Sequence, residues 1–436
     1  MSTKFFDSFL GCIADDFTGA TDLANNLVRT GFRVIQTMGI PSEPLLQNLN
    51  NVDAIVIALK IRTADSKDAV KQALDALTWL QNNGAGQIYF KYCSTFDSTP
   101  KGNIGPVTDA LMAALKTDFT IACPAFPDNG RTIFKGYLYV GDELLHESGM
   151  RNHPLTPMTD SNLVRVLQTQ TAQKVGLIDY RTVGQGATAV INRIAELKQA
   201  GVAMAVVDAL SNADLLAMGP ALADLPLLTA GSGVAIGLKP SQYTAAKTQD
   251  VAKLPAPQGS RAIVSGSCST ATNAQVAAFV TQGGSSGGAA FAVDPMQLAN
   301  GIDVVTNALA WAKDKLQRGA VLIYATAEPG AVRAVQAKLG VAKSGEMVEH
   351  ALAAIAKGLV SLGVQQLIVA GGETSGACVQ ALGFKSMRIG PQIAPGVPWC
   401  YVESLAAKQS GLHIALKSGN FGGADFFISA FDVLTP

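Results

Sequence analysis

Short apolar runs rich in β-branched residues alternate along this chain with longer stretches whose apolar positions recur at helical spacing. AIVIAL at Ala54–Leu59 is followed by AVKQALDAL at 69–77, and similar runs stand at Gln87–Phe90, Phe119–Cys123, Ala203–Val207, Ala262–Val264, Val321–Ala325 and Gln366–Ala370. Strand-period segments interleaved with helix-period segments specify an α/β architecture built on a parallel or mixed sheet. Val348, Leu352, Ile355 and Leu359 fall at i, i+4, i+7 and i+11, so 345–362 is predicted to be an amphipathic helix facing a core. Many of the runs end on Gly, Ser, Thr or Asp. In open α/β sheets ligands bind outside the carboxyl ends of the strands, which makes strand-end residues the first site candidates.

With 436 residues the chain is long enough for two substantial cores. The stretch 241–260 lacks a sustained apolar period and carries two prolines before a new strand begins at Arg261, so it reads as a linker. We therefore expect a first domain over 1–245, a linker over 246–260 and a second domain over 261–436. Each is expected to be a mixed or parallel sheet flanked by helices, with the active site in the cleft between them. Lys plus Arg and Asp plus Glu each number 33, and this balance argues against a polyanionic partner such as nucleic acid and against a membrane surface. The amino terminus meets an aspartate pair before an apolar export signal is built, and no run approaches the roughly 20 residues of a membrane span. Six scattered cysteines, at 12, 93, 123, 268, 378 and 400, form no CxxC pair and no Cys/His cluster. A reducing cytoplasm is the expected location, and self-association into a homo-oligomer is left open.

Three groups of residues are suited to chemistry. In IADDFTGATDLA (13–24) an apolar start breaks at Asp15 and Asp16 before a helix. Two carboxylates at a strand end can bind a sugar hydroxyl, act as a general base or meet a metal, and either Asp16 or Thr18 can equally be a helix cap. The loop KYCSTFDSTPKGNIG (91–105) then gathers Lys91, Ser94, Thr95 and Asp97, a set that suits an anionic polyol and also an ordinary solvated turn. Nearby CPAFPDNGRT (123–132) offers Arg131, whose planar fork matches a carboxylate unless it is simply a surface arginine.

The third group lies in the second half: VSGSCST (264–270), AGGETSG (370–376) and KSGNFGG (417–423). Glycine lets backbone N–H groups approach an oxyanion, and a following helix N-terminus adds a favourable dipole; a plain turn explains any one of them alone. The candidates there are Ser265, Gly266, Ser267, Gly371, Gly372, Glu373, Thr374, Gly419 and Gly422. GSGVAIG at 231–237 is not the dinucleotide GxGxxG, no GxxxxGK[ST] is present, and GSCS at 266–269 does not complete a nucleophile elbow. His146, His153, His350 and His413 are dispersed and are expected on loops or surface.

Taken together, ADDFTGATDLA, KYCSTFDSTPKGNIG, CPAFPDNGRT, SGSCS, GGETSG, APGVPW and SGNFGG resemble the four-carbon acid sugar kinase family, in family order over nearly the whole chain. The resemblance implies an N-terminal acid-sugar-binding domain and a C-terminal nucleotide-binding domain. It is nearest to the branch that uses ATP, with Mg²⁺, to phosphorylate the terminal 4-hydroxyl of 3-oxo-tetronic acids such as 3-dehydro-erythronate and 3-dehydro-threonate; D-threonate and D-erythronate kinases share the same segments. It implies that ATP meets Ser265, Gly266, Ser267, Gly371–Thr374, Gly419 and Gly422, and that the acid sugar meets Asp15, Asp16, Lys91, Ser94, Thr95, Asp97 and Arg131. Asp16 is the expected general base, since phosphoryl transfer needs positioning, charge neutralisation and an acceptor for the hydroxyl proton. From another class, a sugar-acid isomerase or aldolase would use Lys91 as a Schiff-base former without nucleotide, and a non-catalytic sensor would bind without turnover.

Overall fold

The computed structural model describes residues 9–41, 52–96, 99–152, 156–240, 251–282, 288–327, 335, 337–338, 340–402 and 411–434. The chain divides into two compact units, Met1–Val251 and Ala252–Pro436. In the first unit the strands are β1 (Phe9–Ala14), β2 (Val34–Met38), β3 (Ala54–Ala58), β4 (Ala85–Lys91), β5 (Thr120–Cys123), β6 (Arg131–Phe134), β7 (Tyr137–Val140), β8 (Glu143–Leu144), β9 (Lys174–Ile178), β10 (Val202–Val207) and β11 (Leu227–Ala230). Eight of them lie in the order β2-β3-β1-β4-β11-β5-β10-β9, all parallel. β6, β7 and β8 form a small antiparallel sheet of their own.

Every residue of β1 and β3 is buried. That explains why these strands read as unbroken apolar runs rather than alternating ones, as expected where helices cover both faces of a parallel sheet. Helices Phe17–Arg29 and Ser66–Asn82 supply part of that cover. The small sheet is fastened by Asp208, whose carboxylate accepts the N–H groups of Lys135 at 2.7 Å, Gly136 at 2.8 Å and Tyr180 at 2.9 Å.

In the second unit the strands are β12 (Ser260–Ser265), β13 (Ala289–Ala292), β14 (Val321–Tyr324), β15 (Val364–Ala370), β16 (Ser386–Ala394), β17 (Val397–Val402) and β18 (Leu412–Lys417). Their order is β13-β14-β12-β15-β18-β17-β16, parallel as far as β18 and antiparallel over the last two pairings. The core gathers Ile263, Leu322, Ile368, Ala415 and Trp399 with Phe426, Phe427 and Phe431 near the carboxyl end. The expected helix at 345–362 lies within Val341–Ser361, with Leu352, Ile355 and Leu359 fully buried.

Both sheets have a topological switch. β1 has β3 on one side and β4 on the other, so the crossover leaving β1 and the crossover leaving β4 travel in opposite directions. β12 stands in the same relation to β14 and β15. The loops at such a point diverge and leave a crevice above the carboxyl ends of the two strands, where ligands of open α/β sheets settle.

Three details differ from or refine the sequence reading. His413, expected on a loop or surface, is buried within β18, with Nε2 2.9 Å from the Pro255 carbonyl oxygen. Residues 241–250 of the expected linker lie outside the described residues. Those that follow pack on the second unit, where Arg388 Nη2 donates to Lys253 O at 2.6 Å and Leu254 lies against Gly390. The GSGVAIG segment follows β11, and its first glycines serve close backbone packing: a Cβ at Gly231 would stand 2.7 Å from Pro124 O, and one at Gly233 2.2 Å from Ala125 O.

Because both obstacles at Gly233 are backbone, Ala125 O and Phe126 Cα, the strain of an added methyl has nowhere to go. Gly233→Ala is expected to destabilise the protein by about 1–3 kcal/mol, the usual cost of overpacking. Urea denaturation checks this, and an unchanged midpoint would mean the 124–126 segment yields freely.

Candidate functional site

At the first switch, β1 runs out at Ala14 and the next two residues are the aspartates. Asp15 is held by its backbone on both sides: its N–H donates to Lys91 O at 3.0 Å, and its carbonyl accepts from the N–H groups of Ile61 at 3.0 Å and Arg62 at 3.2 Å. Arg62, at the end of the β3 segment, donates through Nε and Nη2 to the two Asp15 oxygens at 2.8 Å each, and through Nη2 to Asp16 Oδ1 at 2.7 Å. The Arg62 turn is itself fixed by Asn103, whose Nδ2 donates to Ile61 O at 2.7 Å and Ala64 O at 2.9 Å.

Asp16 is the helix cap, one of the readings that its sequence left open. Its Oδ1 accepts the Gly19 N–H at 2.9 Å as the N-cap of helix Phe17–Arg29, and its Oδ2 accepts from Thr18 Oγ1 at 2.9 Å. The carboxylate nevertheless keeps solvent access, with 20% of the side chain exposed against 7% for Asp15. Gly19 leaves room for this arrangement, since a Cβ would sit 2.2 Å from Asp16 Oδ1 and 2.8 Å from Lys91 Nζ and would force one of those side chains to move. Lys91 ends β4, is buried, and donates to Tyr92 O at 2.8 Å.

One turn further along the helix, Asp22 faces the same ammonium. Its Oδ2 accepts from Ser232 Oγ at 2.5 Å, while its buried Oδ1 has no hydrogen-bond partner among the described residues. Burial pushes the Asp22 carboxyl up to about 6, with Lys91, the Ser232 hydrogen bond and Arg131 opposing the rise. Burial also raises Asp15, against the pull of Arg62. At Asp16 burial acts in the same direction, but Arg62 and Lys91, joined by the bonds from Thr18 and the Gly19 N–H, outweigh it and hold the carboxyl below its usual range.

Of the other expected acid-sugar residues, Ser94 and Thr95 are buried in the turn after Lys91, with Thr95 Oγ1 3.0 Å from Cys93 Sγ. Asp97 lies outside the described residues. Arg131 opens β6, donates through Nη1 to Asn129 O, and is close enough to Asp22 to act on its titration. Arg62, Asp22, Asn103 and Ser232 were not singled out from the sequence. For Arg62 a signal was present, since it follows the Ala54–Leu59 run by three residues, where strand-end logic applies.

At the second switch the three glycine-rich loops meet. A Cβ on Gly266 would lie 2.2 Å from Thr374 Oγ1, and one on Gly419 would lie 2.5 Å from Ser267 Oγ, so the loops after β12, β15 and β18 touch through positions with no side chain. The N–H groups of Gly266 and Ser267 donate to Ala370 O at 3.0 and 3.2 Å, and that of Gly371 to Lys417 O at 2.8 Å. Gly372 and the exposed Glu373 begin helix Gly372–Leu382, whereas Thr374 is buried. Ser265 is placed differently: the residue is fully buried, with its hydroxyl 2.7 Å from Thr326 Oγ1, and only its successors Gly266 and Ser267 are partly exposed. Gly422 precedes Phe426, and Gln275 Nε2 donates to the carbonyls of Phe421, Gly422 and Gly423 at 3.0 Å each.

The two halves of the chain match a known pairing of domains. Residues 10–238 match the family description of a sugar-binding N-terminal domain, and residues 262–427 that of a nucleotide-binding C-terminal domain. A protein of Pseudomonas savastanoi pv. phaseolicola named 3-oxo-tetronate kinase is 57% identical over 436 residues, covering 100% of this chain and 99% of its own. One of the same name from Cupriavidus necator is 56% identical over 97% of this chain and 96% of its own. The chain belongs to the four-carbon acid sugar kinase family.

Two solved structures share the fold of this kinase over nearly its full length. A Salmonella typhimurium LT2 protein described as a putative tRNA synthase superposes with a TM-score of 0.83 at 44% identity, covering 97% of this chain and 98% of its own. A Haemophilus influenzae protein gives 0.75 at 44% identity, covering 97% and 100%. The kinase is a phosphotransferase with a mixed α/β fold, and among its described residues no helix is long and apolar enough to cross a membrane.

A carboxyl raised in the fold favours the native state most below its unfolded value of 3.8, and that contribution is lost as pH rises through about 6. Asp22 therefore weakens the kinase at neutral pH. Asp22→Asn is expected to be more stable than the wild type at pH 7, by about 1–3 kcal/mol at 1.36 kcal/mol per unit, with the advantage vanishing near pH 4. Thermal unfolding of both proteins between pH 4 and pH 8 measures it. A pH-independent difference would locate the effect in packing.

Proposed function

We propose that the kinase transfers the γ-phosphoryl group of Mg²⁺-ATP to the terminal 4-hydroxyl of a 3-oxo-tetronic acid such as 3-dehydro-erythronate or 3-dehydro-threonate. The observation that carries this reading is the chemical contrast between its two switch-point sites. The first is charged and sided by both signs: Asp15, Asp16 and Asp22 with Arg62 and Lys91. That set can pair a substrate carboxylate and accept hydrogen bonds from its hydroxyls. The second is made of glycines, hydroxyls and backbone amides at the ends of three adjacent strands, the kind of surface that holds a polyphosphate. Full-length similarity to proteins named 3-oxo-tetronate kinase supports the substrate class.

In this reading the roles follow from the geometry of each side chain. Asp15 has both oxygens engaged by Arg62, so it orients rather than reacts. Asp16 keeps solvent access at its carboxylate and stays ionised throughout the neutral range, so it is the acceptor of the hydroxyl proton as the new O–P bond forms and the bond to ADP breaks. Lys91 and Arg131, with Ser94, Thr95 and Asp97, bind the acid sugar. The loops around Ser265–Ser267, Gly371–Thr374, Gly419 and Gly422 bind the nucleotide, and magnesium arrives on its phosphates as part of the substrate.

ADP release over a panel of four-carbon sugar acids tests the assignment, with turnover expected only when both ATP and an acid are present. Release that is independent of the acid, or conversion of the acid without ATP, would remove the kinase reading. Asp16→Asn should lower turnover by roughly 10²–10⁴-fold while leaving ATP affinity nearly unchanged; Asn remains a good helix cap, so the melting temperature at pH 7 should fall only by what the lost ion pair to Arg62 contributed. Asp15→Asn is the control: it should act chiefly by loosening Arg62. An active Asp16→Asn beside an inactive Asp15→Asn would move the base by one residue.

A further inference from the structure

Lys417 is the last residue of β18 and is fully buried, yet among the described residues it has no carboxylate partner. Its Nζ instead lies 2.9 Å from Ser418 O, 3.0 Å from Gly419 O, 3.1 Å from Phe421 O and 3.2 Å from Thr272 Oγ1, with the Phe426 ring centroid 6.0 Å away. An ammonium carries three donors and no acceptor, so a ring of four oxygens saturates it. The same loop is gathered inward from other sides. Gly419 O also accepts from Ser269 Oγ at 2.6 Å and Thr272 Oγ1 at 2.8 Å, and Gln275 takes the carbonyls of 421–423. By contrast, the N–H groups of Gly419, Asn420, Gly422 and Gly423 donate to no group among the described residues.

In a trans peptide the N–H points opposite to the C=O, so the Gly419, Asn420 and Gly422 amides that follow the three carbonyls turned toward Lys417 face away from the ammonium, and outward amides of this kind are what an oxyanion requires. We propose that Lys417 is a positioning residue of the nucleotide site: its ammonium acts as a built-in monovalent cation that orders the 418–423 loop so that the loop amides face the phosphates. It does not touch the nucleotide itself. Burial without a counter-ion lowers the Lys417 ammonium to about 7, which marks it as costly to the fold and retained for another reason. The inference rests on the reading that ATP binds the loops of the second unit.

The full-length kinase tests it through two substitutions. Lys417→Met fills the space without a charge, and Lys417→Ala leaves a cavity long enough for a small alkylammonium ion, with the four oxygens at its far end. Both are expected to raise the KM for Mg²⁺-ATP by about tenfold or more, as when charge-assisted bonds to phosphate lose alignment, and to leave the KM for the acid sugar unchanged. Ethylammonium chloride should restore most of the lost ATP affinity to Lys417→Ala and none to Lys417→Met, and tetramethylammonium chloride at the same ionic strength should restore neither. A folded Lys417→Met with wild-type KM for ATP overturns the inference, and so does a Lys417→Met that fails to fold, because the lysine would then be structural. Equal losses for ATP and acid sugar, or an Ala variant indifferent to ethylammonium, overturn it too. Labelling the wild type with a photoreactive ATP keeps the two readings apart. Peptides from 252–436 are expected, and labelling elsewhere would refute the nucleotide assignment itself.

Discussion

A parallel strand buried on both faces has no side chain to spare for chemistry. β1 and β3 are buried along their whole length, as is β15, so polar groups that reach a site in these sheets sit at or just past a strand end. Asp15, Asp16, Lys91, Arg62, Ser267, Gly371 and Lys417 all occupy such positions, within a few residues of where a ladder stops. The switch in strand order then decides which strand ends matter. Above β1 and β4, and again above β12 and β15, the departing crossovers separate and leave the backbone accessible. Sheet topology and site location are thus one constraint seen twice.

Lys91 and Lys417 show how the same placement yields opposite electrostatics. Each is a buried lysine closing a strand, and each donates to the carbonyl of the next residue at 2.8–2.9 Å. Lys91 stands among carboxylates, where its charge offsets those of Asp16 and Asp22 and leaves a site of mixed sign suited to a charged polyol. Lys417 stands among carbonyls and a hydroxyl. A cation dissolved in peptide dipoles keeps its positive field, because no formal negative charge cancels it. One site can therefore discriminate among small acids, while the other favours whatever anion its amides can reach.

The fold was legible in the sequence where burial erased ambiguity. Gln87–Phe90, Phe119–Cys123 and Gln366–Ala370 are interior strands, and their unbroken apolar runs announce them. β9 and β13, at sheet edges, have half-exposed residues that interrupt the pattern, and β16 and β17 escaped because an antiparallel return needs no crossover helix to flag it. The sites were legible in part. Glycine-rich strand ends and an aspartate pair are visible in one dimension, but Arg62 joins Asp15 across 47 positions and Ser232 joins Asp22 across 210. No spacing rule reaches that far. Ser265 shows the opposite limit, since its type and place suggested a ligand while its hydroxyl turned to Thr326.

Asp16 binds these strands of argument together. An N-cap fixes the entry angle of a helix, and a carboxylate that caps also carries its charge at the positive end of the helix dipole. Here the same carboxylate meets Arg62 and has Lys91 beside it, so the helix start and the charged site share a single group. Gly19 makes room for that sharing: a Cβ there would press on the Asp16 carboxylate and the Lys91 ammonium in the positions they hold. Asp22, one turn deeper, carries the cost of burial: an unsatisfied oxygen and a raised carboxyl. An apolar residue at 22 would avoid that cost, whereas the acid leaves a buried acceptor facing the charged cluster.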